Sequence, residues 1–185
     1  MIDDVLNDAG RRMDKTVENT RHEFTTIRTG RASAALLERV QVSAYGTKMP
    51  INQVATISVP EPRLLTITPF DKSIIRDIEK SILESDLGLT PSNDGNLIRL
   101  PIPELTEERR KELVKQVRHL AEEGRVSARN VRRDAIHHLK DAEKNGEAGA
   151  DDVRRAEERL QKVTDEHVAA IDSALKAKEA EIMEV

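Results

Sequence analysis

Apolar residues recur every three or four positions in long stretches at both ends of this chain, and give way between them to short β-branched runs. From 2 to 27 they fall at Ile2, Val5, Leu6, Ala9, Met13, Val17, Phe24 and Ile27, a spacing that gathers side chains on one stripe of an α-helix. A helix of that span is roughly 38 Å long. A second stripe follows Thr106 at Leu113, Val117, Leu120, Gly124, Ala128, Val131, Ala135, Leu139 and Ala142, with steps close to a heptad repeat. Thr106 suits an N-cap, and Glu107 and Glu108 suit the positive end of the helix dipole. Asn145-Gly146 and Ala148-Gly149 break the pattern. Asp151 and Asp152 then open a third helix carrying Val153, Ala156, Leu160, Val163, His167, Ala170, Ala174 and Ile182. Stripes this narrow do not hold single helices together in water. The three are predicted to pack as a long antiparallel three-helix bundle.

All seven prolines lie between 50 and 103, so the strongest helix breaker is confined to the middle of the chain. There, residues 40–44, 54–59, 64–68 and 97–102 read as strands. Asp71 is placed to cap a helix through Ile74, Ile75, Ile78, Ile82 and Leu83 that stops at Gly88, and 91–96 read as a turn. The expected fold is therefore α+β, with a small α/β domain at 30–105 inserted into a bundle formed by 1–29 and 106–185. The chain crosses between them twice, near Thr29-Gly30-Arg31 and Pro103-Glu104-Leu105. Two crossings make a natural hinge. The alternative is rigid packing of the two parts, with Gly30 serving as a helix C-cap.

Composition narrows the chemistry. The 185 residues contain no Cys and no Trp, and only Phe24, Tyr45 and Phe70 are aromatic. Disulfide scaffolds, thiolate metal sites and Cys nucleophiles are excluded, and base-stacking surfaces are disfavoured. Gly46-Thr47-Lys48 has the wrong order for a phosphate-binding loop, and His22-Glu23 lacks the second histidine of a zinc-protease motif, Thr26 standing in its place. His137 and His138 point about 100° apart on a helix, and His167 lies on an apolar stripe, where a packed, hydrogen-bonded histidine is the simpler reading. No catalytic or metal residue and no cofactor is expected. The longest apolar runs have four residues, and Asp3 and Asp4 stand where a leader peptide needs positive charge. The reading is of a soluble, cytoplasmic protein without membrane segments.

Charge is unevenly placed within a small net value of -4. From 109 to 140, ten Lys and Arg stand against four acids, a local charge of +6, whereas 141–185 carry seven basic and thirteen acidic residues, a local charge of -6. Arg118, Arg125, Arg129, Arg132, Arg133 and Lys140 cluster on one flank of the predicted helix, beside the apolar stripe. Several planar guanidinium groups on one rigid helix match a nucleic-acid backbone. The same run is compatible with an ordinary solvated face whose arginines pair with Glu157, Glu158 or Asp165. An adaptor forming coiled coils with other chains is a second class of reading, which sedimentation separates from a self-contained bundle. A hydrolase would need convergent acids that this sequence does not offer.

Four segments carry a family resemblance. Ile27-Arg28-Thr29-Gly30-Arg31-Ala32-Ser33, Ser85-Asp86-Leu87-Gly88-Leu89, the run Pro103-Glu104-Leu105-Thr106-Glu107-Glu108-Arg109-Arg110-Lys111, and Arg129-Asn130-Val131-Arg132-Arg133-Asp134-Ala135 resemble ribosome recycling factors, in order and over the full length. The resemblance implies an L-shaped protein, tRNA-like in outline, that binds the ribosome after termination. With elongation factor G and its GTP hydrolysis it would split the subunits and release mRNA and tRNA. It implies contacts to large-subunit ribosomal RNA by Arg129, Arg132 and Arg133, with Arg125, Arg118 and Arg110 as further candidates on the same helix. It also implies a hinge at Arg28, Thr29, Gly30, Arg31, Pro103, Glu104, Leu105 and Thr106, and a monomer.

Overall fold

The computed structural model describes residues 1–184. The chain divides into two compact units, Met1–Arg28 with Thr106–Val185, and Thr29–Leu105. The first holds three long helices: α1 (Ile2–Thr25), α3 (Glu107–Lys144) and α4 (Ala150–Met183), each packed on the other two. α1 and α3 run antiparallel, since Arg12 meets Asp134 and Thr16 meets Ser127. α3 and α4 are also antiparallel, with Arg118 on Glu179 and Lys140 on Glu157. α1 and α4 therefore run parallel, and Asp3 pairs with Arg159 and Asp14 with His167.

The bundle core follows the predicted stripes with two slips. On α3 the buried residue of its second heptad is Ala121, and Leu120 is only half-buried. On α4 Thr164 and Ile171 are buried, where the sequence pointed to Val163, His167 and Ala170, all of which are half-buried. A threonine can occupy a core because its hydroxyl bonds back along its own helix. Thr164 Oγ1 donates to the Leu160 carbonyl at 2.8 Å, and the buried Thr20 does the same to Thr16. Gly124 sits where the three helices crowd together: a β-carbon there would lie 2.4 Å from Thr20 Oγ1 and 3.2 Å from Ile171 Cδ1.

The inserted unit contains the hairpin β1 (Gln41–Ala44) and β2 (Thr47–Pro50), and a four-stranded antiparallel sheet in the order β3 (Ala55–Glu61), β4 (Leu64–Pro69), β6 (Ile98–Pro101) and β5 (Ser92–Asn93). β2 and β5 were not legible as strands, because Lys48 and Pro50 interrupt the β-branched pattern of one and the other is two residues long. The hairpin turns through Tyr45 at φ 52 and Gly46 at φ 76, two left-handed residues of the kind that match strand twist. Asp71 caps as predicted, but what it caps is a 3₁₀ turn at Lys72–Ile74 that feeds α2 (Ile75–Glu84). Leu83 is exposed rather than packed, and the helix ends at Ser85 before reaching Gly88. Leu65, Ile67, Ile78, Ile82, Ile98 and Leu100 form the centre of a continuous aliphatic core. No helix among the described residues is long and apolar enough to cross a membrane.

The sequence placed the boundary between Thr29 and Gly30, whereas Thr29 groups with the inserted unit. Gly30 is not a helix cap. α1 is closed at Thr26, whose N–H donates to the Glu23 carbonyl while the next N–H, of Ile27, donates to that of Phe24. Gly30 adopts φ +80, a region that favours glycine, and packs so closely on Leu105 that a β-carbon would lie 3.1 Å from Leu105 Cγ. Both ends of the insert are tied to the turn between β3 and β4: Ala32 N–H donates to Pro62 O and Ile102 N–H to Arg63 O, each at 2.7 Å. Arg63 Nη1 also lies 2.6 Å from Glu104 Oε1, close enough to ion-pair although not aligned as a hydrogen bond.

Candidate nucleic-acid interface

The basic residues belong to a single uninterrupted helix of 38 residues. Thr106 starts it sharply by accepting the Arg109 N–H at 3.1 Å, and Glu107 and Glu108 occupy the first turn. Its buried face is built from small residues at heptad spacing, Ala121, Ala128, Ala135 and Ala142, which let its neighbours approach closely along its length. Each basic side chain thereby has a fixed height and bearing. Arg125, Arg129, Arg132 and Arg133 fall within about 12 Å of axial rise, whereas Arg110 is about 28 Å from Arg129 and does not join them. Arg110 is half-buried, and its Nε has no hydrogen-bond partner.

The flank divides by what each cation touches. Arg118 Nε donates to Glu179 of α4 at 2.7 Å. Arg125 is held twice, by Asp172 of α4 at 2.8 Å and by Glu122 at 2.9 Å, with its side chain only 20% exposed. Partial burial pulls its pKa down, but the hydrogen bonds to Asp172 and Glu122 outweigh that and leave it above the ordinary arginine value. Lys140 reaches Glu157 at 3.3 Å. These three contacts form a ladder between antiparallel helices. The first two rungs step by seven in opposite directions, 118 to 125 against 179 to 172, so the next would set Arg132 against Asp165. That rung is different. Arg132 Nη1 donates to Gln161 Oε1 at 2.6 Å, and Gln161 Nε2 in turn donates to Asp165 Oδ1 at 2.8 Å.

Arg132 and Arg133 thus have no carboxylate partner among the described residues. Arg133 has the Asn130 side-chain oxygen at 3.5 Å, and Arg129 has a loose contact with Glu122 at 3.7 Å within its own helix. The solvated-face reading therefore describes Arg118, Arg125 and Lys140, although with Glu179 and Asp172 in place of the expected Glu158 and Asp165. It does not describe the 129–133 segment. Sequence inspection missed Gln161 because it is one polar residue on a polar face. A signal for the ladder was nevertheless present, in the seven-residue spacing of 118, 125 and 132 and of 165, 172 and 179.

Among the described residues, nothing else resembles a site. No group of three or more metal-ligating residues converges among the described residues. A shallow depression between α1 and α4 is lined by Asp14, Arg21 and His167 among others. There His167 is held between the Val163 carbonyl at 2.7 Å and Asp14 at 2.6 Å, as a packed histidine would be.

Known proteins give an independent comparison. A family model described as ribosome recycling factor matches residues 20–183. A ribosome-recycling factor from Rubrobacter xylanophilus is 62% identical over 180 residues, covering 97% of each chain, and one from a Geobacillus species is 56% identical over the whole of both. Among solved structures, a solution structure of ribosome recycling factor aligns with TM-score 0.68 at 44% identity, covering 100% of this chain and 98% of that one. A chain from models of the T. thermophilus ribosome recycling factor and E. coli elongation factor G bound to the E. coli post-termination complex aligns with TM-score 0.61 at 43% identity over the full length of both. With a helical bundle, an inserted sheet unit and full-length relatives of one description, this chain belongs to the ribosome recycling factor family.

Proposed function

We propose that this chain binds the post-termination ribosome as a monomer in the cytoplasm. There it docks on large-subunit ribosomal RNA through Arg129, Arg132 and Arg133, and acts with elongation factor G to separate the subunits so that mRNA and tRNA leave. GTP hydrolysis by that factor supplies the energy, and the chain itself contributes no catalytic group. The observation that carries the RNA contact is the split flank of α3. Arg118 and Arg125 on one side and Lys140 on the other are neutralised by carboxylates, while the arginines at 129–133 keep donors available on a rigid helix. Guanidinium forks suit phosphate, and a surface almost without aromatic residues favours backbone and shape over base stacking. A net charge of -4 confines the attraction to that segment. Elongation factor G is brought in by its presence beside a recycling factor in the related complex.

The crossings at 28–31 and 103–106 serve as the hinge in this proposal. In support, each unit closes before the crossing. Thr106 caps α3, Thr26 closes α1, and Gly30 and Leu105 seal the insert on its own side. No element spans the joints. Between 26 and 30, and between 105 and 106, the chain is free of regular structure that would resist a change of backbone angle.

Purified post-termination ribosomes mixed with the protein, elongation factor G and GTP, followed by light scattering, test the activity. Arg132→Ala is expected to weaken ribosome binding and to lower the salt slope of binding by about one, with melting changed by no more than about 0.5 kcal/mol. Arg129→Ala with Arg133→Ala should do the same. Unchanged affinity and slope in all of these would remove the 129–133 segment from the interface.

A further inference from the structure

We infer that Gln161 is a positioning residue that keeps Asp165 from neutralising Arg132. The inference rests on the proposal that Arg132 contacts phosphate. Its basis is the broken rung of the ladder. At Arg118 and Arg125 the α3 guanidinium meets an α4 carboxylate directly, at 2.7 and 2.8 Å. One heptad further, the carboxylate in register is Asp165, yet the guanidinium is bound by Gln161 and the carboxylate is bound by the other end of the same amide.

Chemistry allows few side chains in that position. Arginine only donates and an ionised carboxylate only accepts. A group standing between them must present an acceptor to one and donors to the other, which fixes the orientation of the glutamine amide without ambiguity. Glutamate at 161 would accept from Arg132 but repel Asp165, and lysine would do the reverse. The neutral amide orients the guanidinium with one hydrogen bond at Nη1 and leaves its full charge uncancelled; Nε is buried without a partner, so Nη2 is the nitrogen left to meet a phosphate. A direct ion pair would set the same geometry but cancel the charge, as it does for Arg125.

The test is a set of full-length variants measured for binding to purified bacterial large ribosomal subunits as a function of salt, alongside melting. With Gln161→Leu, Asp165 is free to complete the rung. Binding should weaken about tenfold and the salt slope should fall by about one, because one phosphate contact is lost, while the melting temperature stays level or rises. Adding Asp165→Asn to Gln161→Leu should restore the parent slope and most of the affinity. Rescue by removing a second native side chain is not a result that general damage to α4 produces. Arg132→Ala should abolish the difference between Gln161→Leu and the parent. If Gln161→Leu binds with parent affinity and slope while Arg132→Ala is weak, or if Asp165→Asn rescues nothing, the role of Gln161 is overturned and the interface survives. If Arg132→Ala itself binds like the parent, the interface reading falls and this inference with it.

Discussion

The two units bury their cores by opposite means. Of the nine buried residues on α3, four are alanines and one is Gly124, and the helices around them close in on small side chains. In the inserted unit the sixteen buried core residues include only Ala44 and Ala55 as small ones, the rest being Leu, Ile and Val. Long contacts along a face of small residues fix the register of one helix against another, because any slide puts a larger side chain where only a methyl group fits. That register is what lines up the ladder of α3 cations with α4 acceptors. The insert is made of short strands and a ten-residue helix, which have little length to share and need bulk instead. One unit is built to hold charges at fixed positions, the other to stay folded on few residues.

The sharpest way to break this comparison is to cut into each core and ask whether the other responds. Ile78→Ala in the insert and Leu160→Ala in the bundle both empty fully buried positions, and each should cost about 2–5 kcal/mol. The chain carries its own probes. Tyr45, the only tyrosine in a protein without tryptophan, lies in the insert, so its fluorescence follows that unit, while the helical circular dichroism follows mainly the bundle. Ile78→Ala should lower the tyrosine transition and leave the helical one in place, and Leu160→Ala should do the reverse. Matched shifts of both probes in both variants would mean that the two cores unfold as one.

A smaller effect tests whether close approach matters to the bundle. Gly124→Ala would gain about 1 kcal/mol of helix propensity, but its methyl group would overlap Thr20 Oγ1, which is fixed by its bond to the Thr16 carbonyl. Thr20 must rotate or the helices must part, at a cost of about 1–3 kcal/mol. The net expectation is a loss of about 1 kcal/mol, recovered in the double variant Gly124→Ala with Thr20→Ala. A melting temperature at or above the parent for Gly124→Ala alone would show that the crossing tolerates separation.

The bundle was largely readable from sequence, since its three stripes, the Thr106 cap and the Asn145-Gly146 break are local signals. The reading slipped where apolar character and burial part company. Leu120 and Ala121 are adjacent and both apolar, and only the geometry of the neighbouring helices selects the smaller. Thr20 and Thr164 look polar until their hydroxyls are seen to be satisfied by their own backbone. In the insert the strands with β-branched runs were legible, and β2, which holds its place only by pairing with β1, was not. For the interface the arginines were visible, but their partners were not: an ion pair between helices depends on register, which no single residue announces. Gln161 is the extreme case, because its meaning depends on Arg132 and Asp165 together.

The least effect is expected from acid, and it should fall on the insert. Asp94 closes the turn before β6. Its Oδ1 accepts the Asn96 and Leu97 N–H groups at 2.9 and 3.0 Å, and its Oδ2 accepts from Arg99 at 3.0 Å. The backbone bonds from Leu97 and Asn96, then the Arg99 contact, hold its pKa down to about 2 from 3.8. Asp71, bonded by Tyr45 and by Ser73, is lowered as well. A carboxylate whose folded pKa is depressed stabilises the fold above its unfolded value and loses that contribution as pH falls through the folded one. The insert should therefore weaken between about pH 4 and pH 2. With Asp94→Asn, which can still accept from the backbone but cannot titrate, the urea midpoint of the tyrosine transition should depend less on pH across that window. In the helical transition the same substitution should change nothing. An acid dependence of the tyrosine midpoint that is identical in Asp94→Asn and the parent would show that this turn does not govern the acid response of the insert.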